Sequence, residues 1–282
     1  MELSHWALAF TVLPWPERRK AELWACLQAG REPPLPPEAR RDLDRLARDL
    51  PRLRDEASRR GARLVLPGEP EADRLLAPLP YPVALWVRGT LPPERPAVAM
   101  VGSRQGPRAA LDRARAWARS LTGAGVAVLS GLARGVDGAA HRGALEAGAT
   151  WGIMGSGLDH PYPPEHAGLM DRIVACGGGV VTPFPPPARP LKWHFPRRNL
   201  ILAAWTQGVA LVAARYASGS LVTAKLAPDL GKEVWACPGA PEDPLAEGPN
   251  RLIRDGAARI CLSAQDVLED MKFLRWDLTN AP

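Results

Sequence analysis

Short apolar runs alternate with helix-like segments through the middle of this chain, and this rhythm restricts the fold more than any other feature. The apolar runs cover residues 97–101, 126–129, 151–154, 179–182, 209–213 and 233–237. The helix-like segments lie near residues 107–122, 138–147, 164–175, 197–206 and 218–230. Uninterrupted apolar strands between helices are typical of a parallel sheet covered on both faces. With right-handed crossovers, they predict an α/β fold with a doubly wound, mostly parallel Rossmann-like sheet.

The segments on either side of this pattern differ from it. Residues 1–62 form proline-punctuated helical patterns and predict a small N-terminal helical domain. Residues 63–95 hold two strand-like pieces, which we interpret as a bridging extension of an extended Rossmann-like domain over residues 63–265. Residues 266–282 are predicted to be a C-terminal tail without a winged helix.

Composition narrows the function class. No apolar run approaches the ~20 residues of a membrane span, and no signal peptide is recognisable at the N-terminus. The four cysteines and five histidines have no metal-ligand spacing, so we expect a cytoplasmic protein without a metal. The net charge of +6 favours a polyanionic partner, although a compositional bias explains the arginine-rich sequence equally well.

The stretch SGLARGVDGAAH at residues 130–141 follows one apolar run and leads into a helical segment. A strand that turns through glycines into a helix presents free backbone N–H groups, which attract phosphate or another anion. The stretch matches neither a P-loop nor a dinucleotide fingerprint. A plain strand-to-helix turn that needs glycine for its backbone angles is the alternative.

Similar polar and glycine-rich residues follow other predicted strands, at the sheet edge where ligands bind in such folds. These rim segments are Gly102-Ser103-Arg104, Ser130-Gly131, Gly155-Ser156-Gly157 and Pro238-Gly239. The arginine of the first segment is suited to a bidentate phosphate contact, and a loop-tying salt bridge is the alternative. Together the four rim segments predict a site for a polar ligand.

Two further segments combine groups that nucleic acids need. Residues 192–199 hold cations beside Trp193 and Phe195, a combination typical of single-stranded nucleic-acid binding. Burial of both aromatic rings at a helix start is the alternative. Residues 218–224 begin a helix with hydroxyl groups, which would face a phosphate or simply cap the helix.

From residue 81 to residue 257 the chain resembles the DNA-processing protein A family, DprA, also called Smf. The resemblance is carried by eight blocks in family order: WVRGTL at 86–91, VGSR at 101–104, SGLARGVDGAAHRGAL at 130–145, GSGLDHPYP at 155–163, FPRRN at 195–199, SGSLVTAKLA at 218–227, CPGAP at 237–241 and GPNRLIRDGA at 248–257. It implies an extended Rossmann fold that binds single-stranded DNA without catalysis or a cofactor. It also implies a cytoplasmic homodimer that protects incoming strands and loads the RecA recombinase in natural transformation, the process for which competence is required.

The resemblance also implies roles for individual residues. Arg104 matches an arginine that contacts backbone phosphate, and Lys192 and Phe195 match a lysine and an aromatic that engage phosphate and base. Arg197 and Asn199 lie in the block that lines the same pocket, and the glycine loops supply backbone amides to it. The expected DNA-binding set is Gly102, Ser103, Arg104, Ser130, Gly131, Arg134, Gly155, Gly157, Lys192, Phe195, Arg197, Asn199, Gly219, Ser220 and Thr223.

The chain departs from the family pattern at three places. It has Thr182-Pro183 where Ser-Glu is common, Ala213-Ala214 near the usual position of a Glu, and Leu200 in place of a basic residue. These changes remove two acids and one base near the rim, and loss of the acids should not weaken DNA binding.

An enzyme on the same scaffold is the alternative function, namely a nucleotide phosphoribohydrolase of the lysine-decarboxylase-like group. That enzyme needs a Pro-Gly-Gly-x-Gly-Thr turn and a nearby catalytic Glu, and the chain lacks the threonine after the glycines at 177–179. Asp137 and Asp159 are the best rim acids, and we interpret Asp137 as a helix cap. A dinucleotide-dependent oxidoreductase ranks lower because its glycine fingerprint is missing.

Overall fold

A nine-stranded sheet forms the centre of the computed structural model, which describes residues 2–13 and 15–280 and their side chains except those of residues 17 and 273–280. The strands are β1 (Ala62–Val65), β2 (Leu85–Gly89), β3 (Ala97–Val101), β4 (Ala127–Ser130), β5 (Thr150–Ile153), β6 (Gly179–Thr182), β7 (Gly208–Leu211), β8 (Glu233–Ala236) and β9 (Arg259–Ile260). Their order is β1-β2-β6-β5-β4-β3-β7-β8-β9. In this spatial order, every neighbouring pair among the seven strands β6-β5-β4-β3-β7-β8-β9 is parallel, whereas β2 runs antiparallel to both β1 and β6. The predicted fold class is confirmed.

Helices cover both faces of this sheet. They are α1 (Leu3–Val12), α2 (Glu17–Gln28), α3 (Pro37–Ser58), α4 (Pro70–Leu76), α5 (Arg108–Gly123), α6 (Val136–Ala144), α7 (Ala167–Ala175), α8 (His194–Ala204), α9 (Gly219–Asp229), α10 (Glu247–Arg254) and α11 (Ala264–Asn280), with a 3₁₀ turn at Pro164–His166 before α7. In the described ranges, no helix is both long enough and apolar enough to cross a membrane.

Strand β3 shows how the two faces are packed. Val98 and Met100 join a hydrophobic cluster with residues of α5, α6 and α11. Ala97, Ala99 and Val101 join a second cluster with residues of α1, α3, α8 and α9. Because successive residues of a strand point to opposite faces, one apolar run serves both layers.

The N-terminal helices belong to this second cluster. Trp6, Leu8 and Phe10 are buried in it together with Tyr81 and Trp86. The Phe10 and Tyr81 rings meet edge to face, with their centroids 5.6 Å apart. The division at residue 62 therefore crosses a shared core and stays a prediction, while the bridging segment adds β1 and β2 to the sheet.

The chain direction positions the functional edge. From β3 the chain passes through β4 and β5 to β6 on one side, and then returns to form β7 on the other side of β3. Strands β3 and β6 cover the predicted residues, but α8 begins at residue 194 rather than 197. This earlier start places Phe195 within the helix. Residues 281 and 282 of the predicted tail lie outside the described residues.

Candidate nucleic-acid interface

A cleft of about 520 Å³ opens at the carboxyl ends of β3, β4 and β7, where the strand order reverses. Ligands of doubly wound sheets bind at this kind of switch point. Most residues of the expected DNA-binding set line the cleft: Gly102, Ser103, Arg104, Gly131, Arg134, Phe195, Asn199, Gly219, Ser220 and Thr223. The fold therefore brings together loops and helix starts that lie more than a hundred residues apart in the chain.

A cation and two aromatic rings lie together at one side of the cleft. The Arg104 guanidinium carbon is 5.4 Å from the centroid of the Phe195 ring. The Tyr162 and Phe195 centroids are 5.7 Å apart, with the rings inclined at 56°. A Cβ atom at Gly155 would come within 2.9 Å of the Phe195 ring, so glycine leaves room for this aromatic group. The arrangement presents positive charge beside an aromatic surface.

Helix α8 supplies one wall through a single helical face. Phe195, Arg198, Asn199 and Leu202 all line the cleft. Their spacing of three, four and seven residues places them on one side of an α-helix. Arg197 lies about 200° from Phe195 around the helix axis and therefore faces the opposite way.

Arg198 is a buried cation beneath the cleft. Its side chain is 4% exposed, and its Nη1 donates to the Ile153 carbonyl at 2.9 Å. A Cβ atom at Gly131 would lie 1.6 Å from Nη1, so only glycine accommodates the guanidinium there. Burial lowers the pKa of Arg198 to about 10, against the raising effect of Asp137. The residue thus keeps its positive charge at neutral pH.

Asp137 has a different role from the one expected. Helix α6 has Gly135 at its N-cap and no side-chain capping bond. The Asp137 Oδ2 instead accepts from the backbone N–H groups of Gly131 at 3.1 Å and Ala133 at 3.3 Å. Burial raises the pKa of this carboxyl, while the charge of Arg198 opposes the shift. The interpretation as a helix cap is wrong, and two amides of the glycine-rich turn are occupied by a carboxylate.

The start of α9 forms the facing wall. The Ser218 Oγ accepts from the Leu221 N–H at 3.4 Å, which is the capping bond expected there. Gly219, Ser220 and Thr223 line the cleft, and the Asn199 Nδ2 donates to the Gly219 carbonyl at 3.3 Å. This bond ties α8 to α9 across the floor of the cleft.

Five residues of the expected set lie outside the cleft lining. Ser130 is fully buried and donates to the Met100 carbonyl at 2.6 Å. Gly155 lies next to the Phe195 ring. Gly157 packs against the carbonyls of Pro185 and Pro186 in the proline-rich loop after β6, and its N–H donates to the Ala188 carbonyl of that loop. Lys192 is exposed in the turn before α8. Arg197 is 4% exposed and donates to the carbonyls of α1, so the structure does not bring it to the cleft.

Other cations border the cleft. Arg134 forms an exposed ion pair with Glu165, and this contact lowers the pKa of that glutamate to about 2. Arg215 lines the cleft and has no carboxylate within ion-pair distance among the described residues. Arg104 is likewise without such a partner in the described part of the chain. Guanidinium groups without a carboxylate at ion-pair distance are suited to binding phosphate.

The residues that depart from the family pattern make local contacts. The Thr182 Oγ1 donates to the Ser156 carbonyl at 2.7 Å, and the Ala213 carbonyl accepts from the Ser103 N–H at 2.7 Å. Leu200 packs against the hydrophobic cluster of the N-terminal face. The Thr182 hydroxyl therefore holds a rim loop in place, whereas the Ala213 contact is made by the backbone and does not depend on the side chain.

Sequence reasoning did not single out Arg198, Tyr162 or Arg215 as site residues. The signal for Arg198 was its spacing of three residues from Phe195, which is visible only once the helix is extended to residue 194. No comparable signal marks Tyr162 or Arg215, because each lies in a loop whose position depends on distant strands. Among the side chains that the structure describes, no group of three His, Cys, Asp or Glu residues could hold a metal ion.

The family model described as DNA recombination-mediator protein A matches residues 68–272. The chain belongs to this family. The resemblance seen in the ordered sequence blocks is thereby confirmed, and residues 1–67 precede the matched region.

Curated relatives and solved structures agree with this membership. Protein Smf of Escherichia coli K12 is 41% identical over 212 residues, which cover 74% of this chain and 56% of that protein. DNA processing protein DprA of Streptococcus pneumoniae R6 is 38% identical over 194 residues, 68% of each chain. The X-ray structure of the Streptococcus pneumoniae protein superposes with a TM-score of 0.68 at 35% identity, covering 74% of both chains. DNA processing protein A of Helicobacter pylori shares the fold at a TM-score of 0.65 and 24% identity, over 74% of this chain and 95% of that one.

Proposed function

We propose that this protein binds single-stranded DNA in the cleft and delivers the strand to a RecA recombinase. The observation that carries the binding step is the Arg104–Phe195 pair at the cleft, 5.4 Å from guanidinium carbon to ring centroid. A guanidinium binds a phosphate through two charge-assisted hydrogen bonds, and an aromatic ring stacks on an unpaired base. The phosphate of a nucleotide would therefore bind Arg104 while its base stacks on Phe195.

Further contacts follow from the cleft lining. Buried Arg198 adds positive potential below the phosphate, and Ser220 and Thr223 present hydroxyl groups from α9. Lys192 would meet the strand outside the cleft, where its side chain is exposed. Because phosphates and ring faces are common to all sequences, the expected base preference is weak.

We propose binding without catalysis or a cofactor. The carboxylate in the cleft, Asp137, is buried and already accepts two backbone N–H groups. Asp137 is only 4% exposed, whereas a general base must lie within hydrogen-bond reach of the proton that it abstracts. Steady release of base from nucleoside monophosphates by the purified protein would overturn this part of the proposal.

The delivery step is supported by the family, which is described as a DNA recombination mediator. The Helicobacter pylori protein is described as having a single-stranded DNA binding mode. We propose that this chain acts as a homodimer in the bacterial cytoplasm, where it protects incoming strands during natural transformation. RecA ATP turnover on DNA precoated with single-strand binding protein tests delivery: acceleration by the wild type is expected, and no acceleration would refute it.

Salt titrations test the binding step. Fluorescence anisotropy with a labelled oligothymidylate should show that Phe195→Ala weakens binding by about 1–3 kcal/mol with the salt slope intact, since stacking is uncharged. Arg104→Gln should weaken binding and reduce the slope of log K against log salt by about 0.7, the value for one phosphate.

Arg119→Gln is the matched control because it removes an exposed charge near the far end of α5, with a side chain 61% exposed. It should bind like the wild type, and a duplex should bind more weakly than a single strand. Wild-type curves for both cleft variants would remove this cleft from the DNA-binding surface.

A further inference from the structure

We propose that a second cationic and aromatic group continues the DNA path beyond the cleft, an inference that rests on the proposed function. This group consists of Tyr216, Lys225 and Arg251 and is called the rim cluster below. Its ligand would be the phosphodiester backbone of the single strand where the strand leaves the cleft.

The rim cluster is built around one tyrosine ring. The Lys225 Nζ is 4.8 Å from the Tyr216 centroid, and the Arg251 guanidinium carbon is 4.1 Å from the same centroid. Tyr216 is 40% exposed, and the Arg251 side chain is 42% exposed. Contact with the ring orders the Lys225 and Arg251 side chains, so they lose less conformational entropy when they bind an anion.

Backbone hydrogen bonds join the rim cluster to the cleft. Tyr216 follows Arg215 and precedes Ser218, both of which line the cleft. The Ala214 N–H donates to the Leu245 carbonyl at 2.7 Å, and the Gly248 N–H donates to the Ala214 carbonyl at 2.9 Å. These bonds fix the start of α10, and hence Arg251, against the loop that carries Tyr216.

Glycine makes this approach of α10 possible. A Cβ atom at Gly248 would lie 2.7 Å from the Ala214 carbonyl oxygen, closer than ordinary contact allows. Leu245 also lines the cleft. The loop that carries Tyr216 and the segment that leads into α10 therefore both start at the wall of the cleft. A strand that leaves the cleft over Arg215 therefore reaches Tyr216 next.

The charges of the rim cluster are only partly compensated. Arg251 pairs with Glu247 at 2.9 Å. Lys225 has no carboxylate within ion-pair distance in the portion of the chain that the structure describes, and neither does neighbouring Arg215. Two cations that share one ring repel each other, so an anion between them is stabilising. A phosphate chain supplies such anions at regular intervals.

The test compares oligothymidylates of about 4 and about 16 nucleotides, which span the range of single-strand site sizes. Lys225→Gln/Arg251→Gln should bind the long strand about tenfold more weakly, and its salt slope should fall by about 1.4, the value for two phosphates. Binding of the short strand should be unchanged, because it is held by the cleft alone. Arg104→Gln should weaken binding of both lengths.

Two controls separate this effect from general charge and from folding. Arg115→Gln/Arg119→Gln removes two exposed charges from α5 and should bind both lengths like the wild type. Tyr216→Phe keeps the ring and should behave like the wild type, whereas Tyr216→Leu should reproduce the loss for the long strand.

The outcomes are distinguishable. If the double variant binds both lengths normally while Arg104→Gln is impaired, the cleft stands and the inference about the rim cluster is refuted. If the α5 control is as weak as the double variant, the effect is one of net charge and the inference is refuted. If Arg104→Gln binds both lengths normally, the proposed function fails first.

Discussion

At the scale of residues, one carboxyl group, that of Asp137, offsets part of the positive charge of the cleft. Asp137 lies close enough to Arg198 and Arg104 for both charges to act on its pKa, yet burial outweighs them and raises that pKa. Its oxygen occupies the N–H groups of Gly131 and Ala133, which would otherwise face an anion. The negative charge therefore opposes a phosphate in the same cleft, and its protonation removes that opposition.

Asp137→Asn is expected to tighten binding of single-stranded DNA severalfold at any pH above the pKa of Asp137. The amide oxygen still accepts both backbone N–H groups, but the charge is gone. In the wild type, affinity should rise as pH falls through the raised pKa of Asp137, because the protonated carboxyl does not repel phosphate. Anisotropy over a series of pH values from the ordinary carboxyl range upwards should show this trend in the wild type only. An identical pH profile in both proteins would contradict this role for Asp137.

At the scale of elements, the N-terminal helices hold the parts that form the cleft. Arg197 of α8 donates to the carbonyls of Phe10 at 2.6 Å and Thr11 at 3.0 Å, in the last turn of α1. Arg60, just beyond α3, pairs with Asp159 through bonds of 2.7 and 2.9 Å, in the loop that leads to Tyr162. In each contact, one partner lies before residue 68, ahead of the region that the family model matches.

Arg197→Met should lower the free energy of unfolding by about 1–3 kcal/mol, because it leaves buried carbonyls without donors. DNA affinity should fall as well, since α8 carries Phe195 and Arg198. Arg60→Ala breaks a partly exposed pair and should cost only about 0–1 kcal/mol. Urea denaturation and anisotropy on both variants measure these effects, and an Arg197→Met protein as stable as the wild type would refute the bracing role.

At the scale of the whole molecule, the core contains a histidine that resists protonation. His141 of α6 is fully buried, and its Nδ1 lies 2.9 Å from the Thr150 Oγ1 on β5. Burial, His166 and nearby arginines lower its pKa to about 3 from a reference value of 6.5. Below that reference value the unfolded chain binds a proton that the folded protein does not.

The free energy of unfolding should therefore decrease as pH falls from about 6.5 towards 3, with a contribution of up to about 1.4 kcal/mol per pH unit from this one group. Above pH 6.5 the contribution is fully present. Urea denaturation at two pH values should show a smaller difference for His141→Gln than for the wild type. His5→Gln, in α1, is the control and should retain the wild-type difference.

Local sequence patterns were sufficient for strands β3 to β8 and for part of the functional rim. The apolar runs at residues 97–101 and 179–182 became strands at those residues, because β-branched and small apolar side chains between turn signals fit a sheet buried on both faces. Gly102, Ser103 and Gly131, which follow β3 and β4, reached the cleft because of the sheet topology. In a parallel sheet all carboxyl ends meet at one edge, so Ser103 and Gly131 had to lie near each other.

Only the tertiary structure decided which of these groups are available to a ligand. Arg197 and Arg198 are adjacent and chemically identical, but the 100° turn between them sends one to the carbonyls of α1 and the other beneath the cleft. The amides of the glycine-rich turn look free in the sequence, and Asp137 occupies two of them in the fold. Sequence specifies what each residue can donate or accept, whereas contacts through space determine which donors are already used.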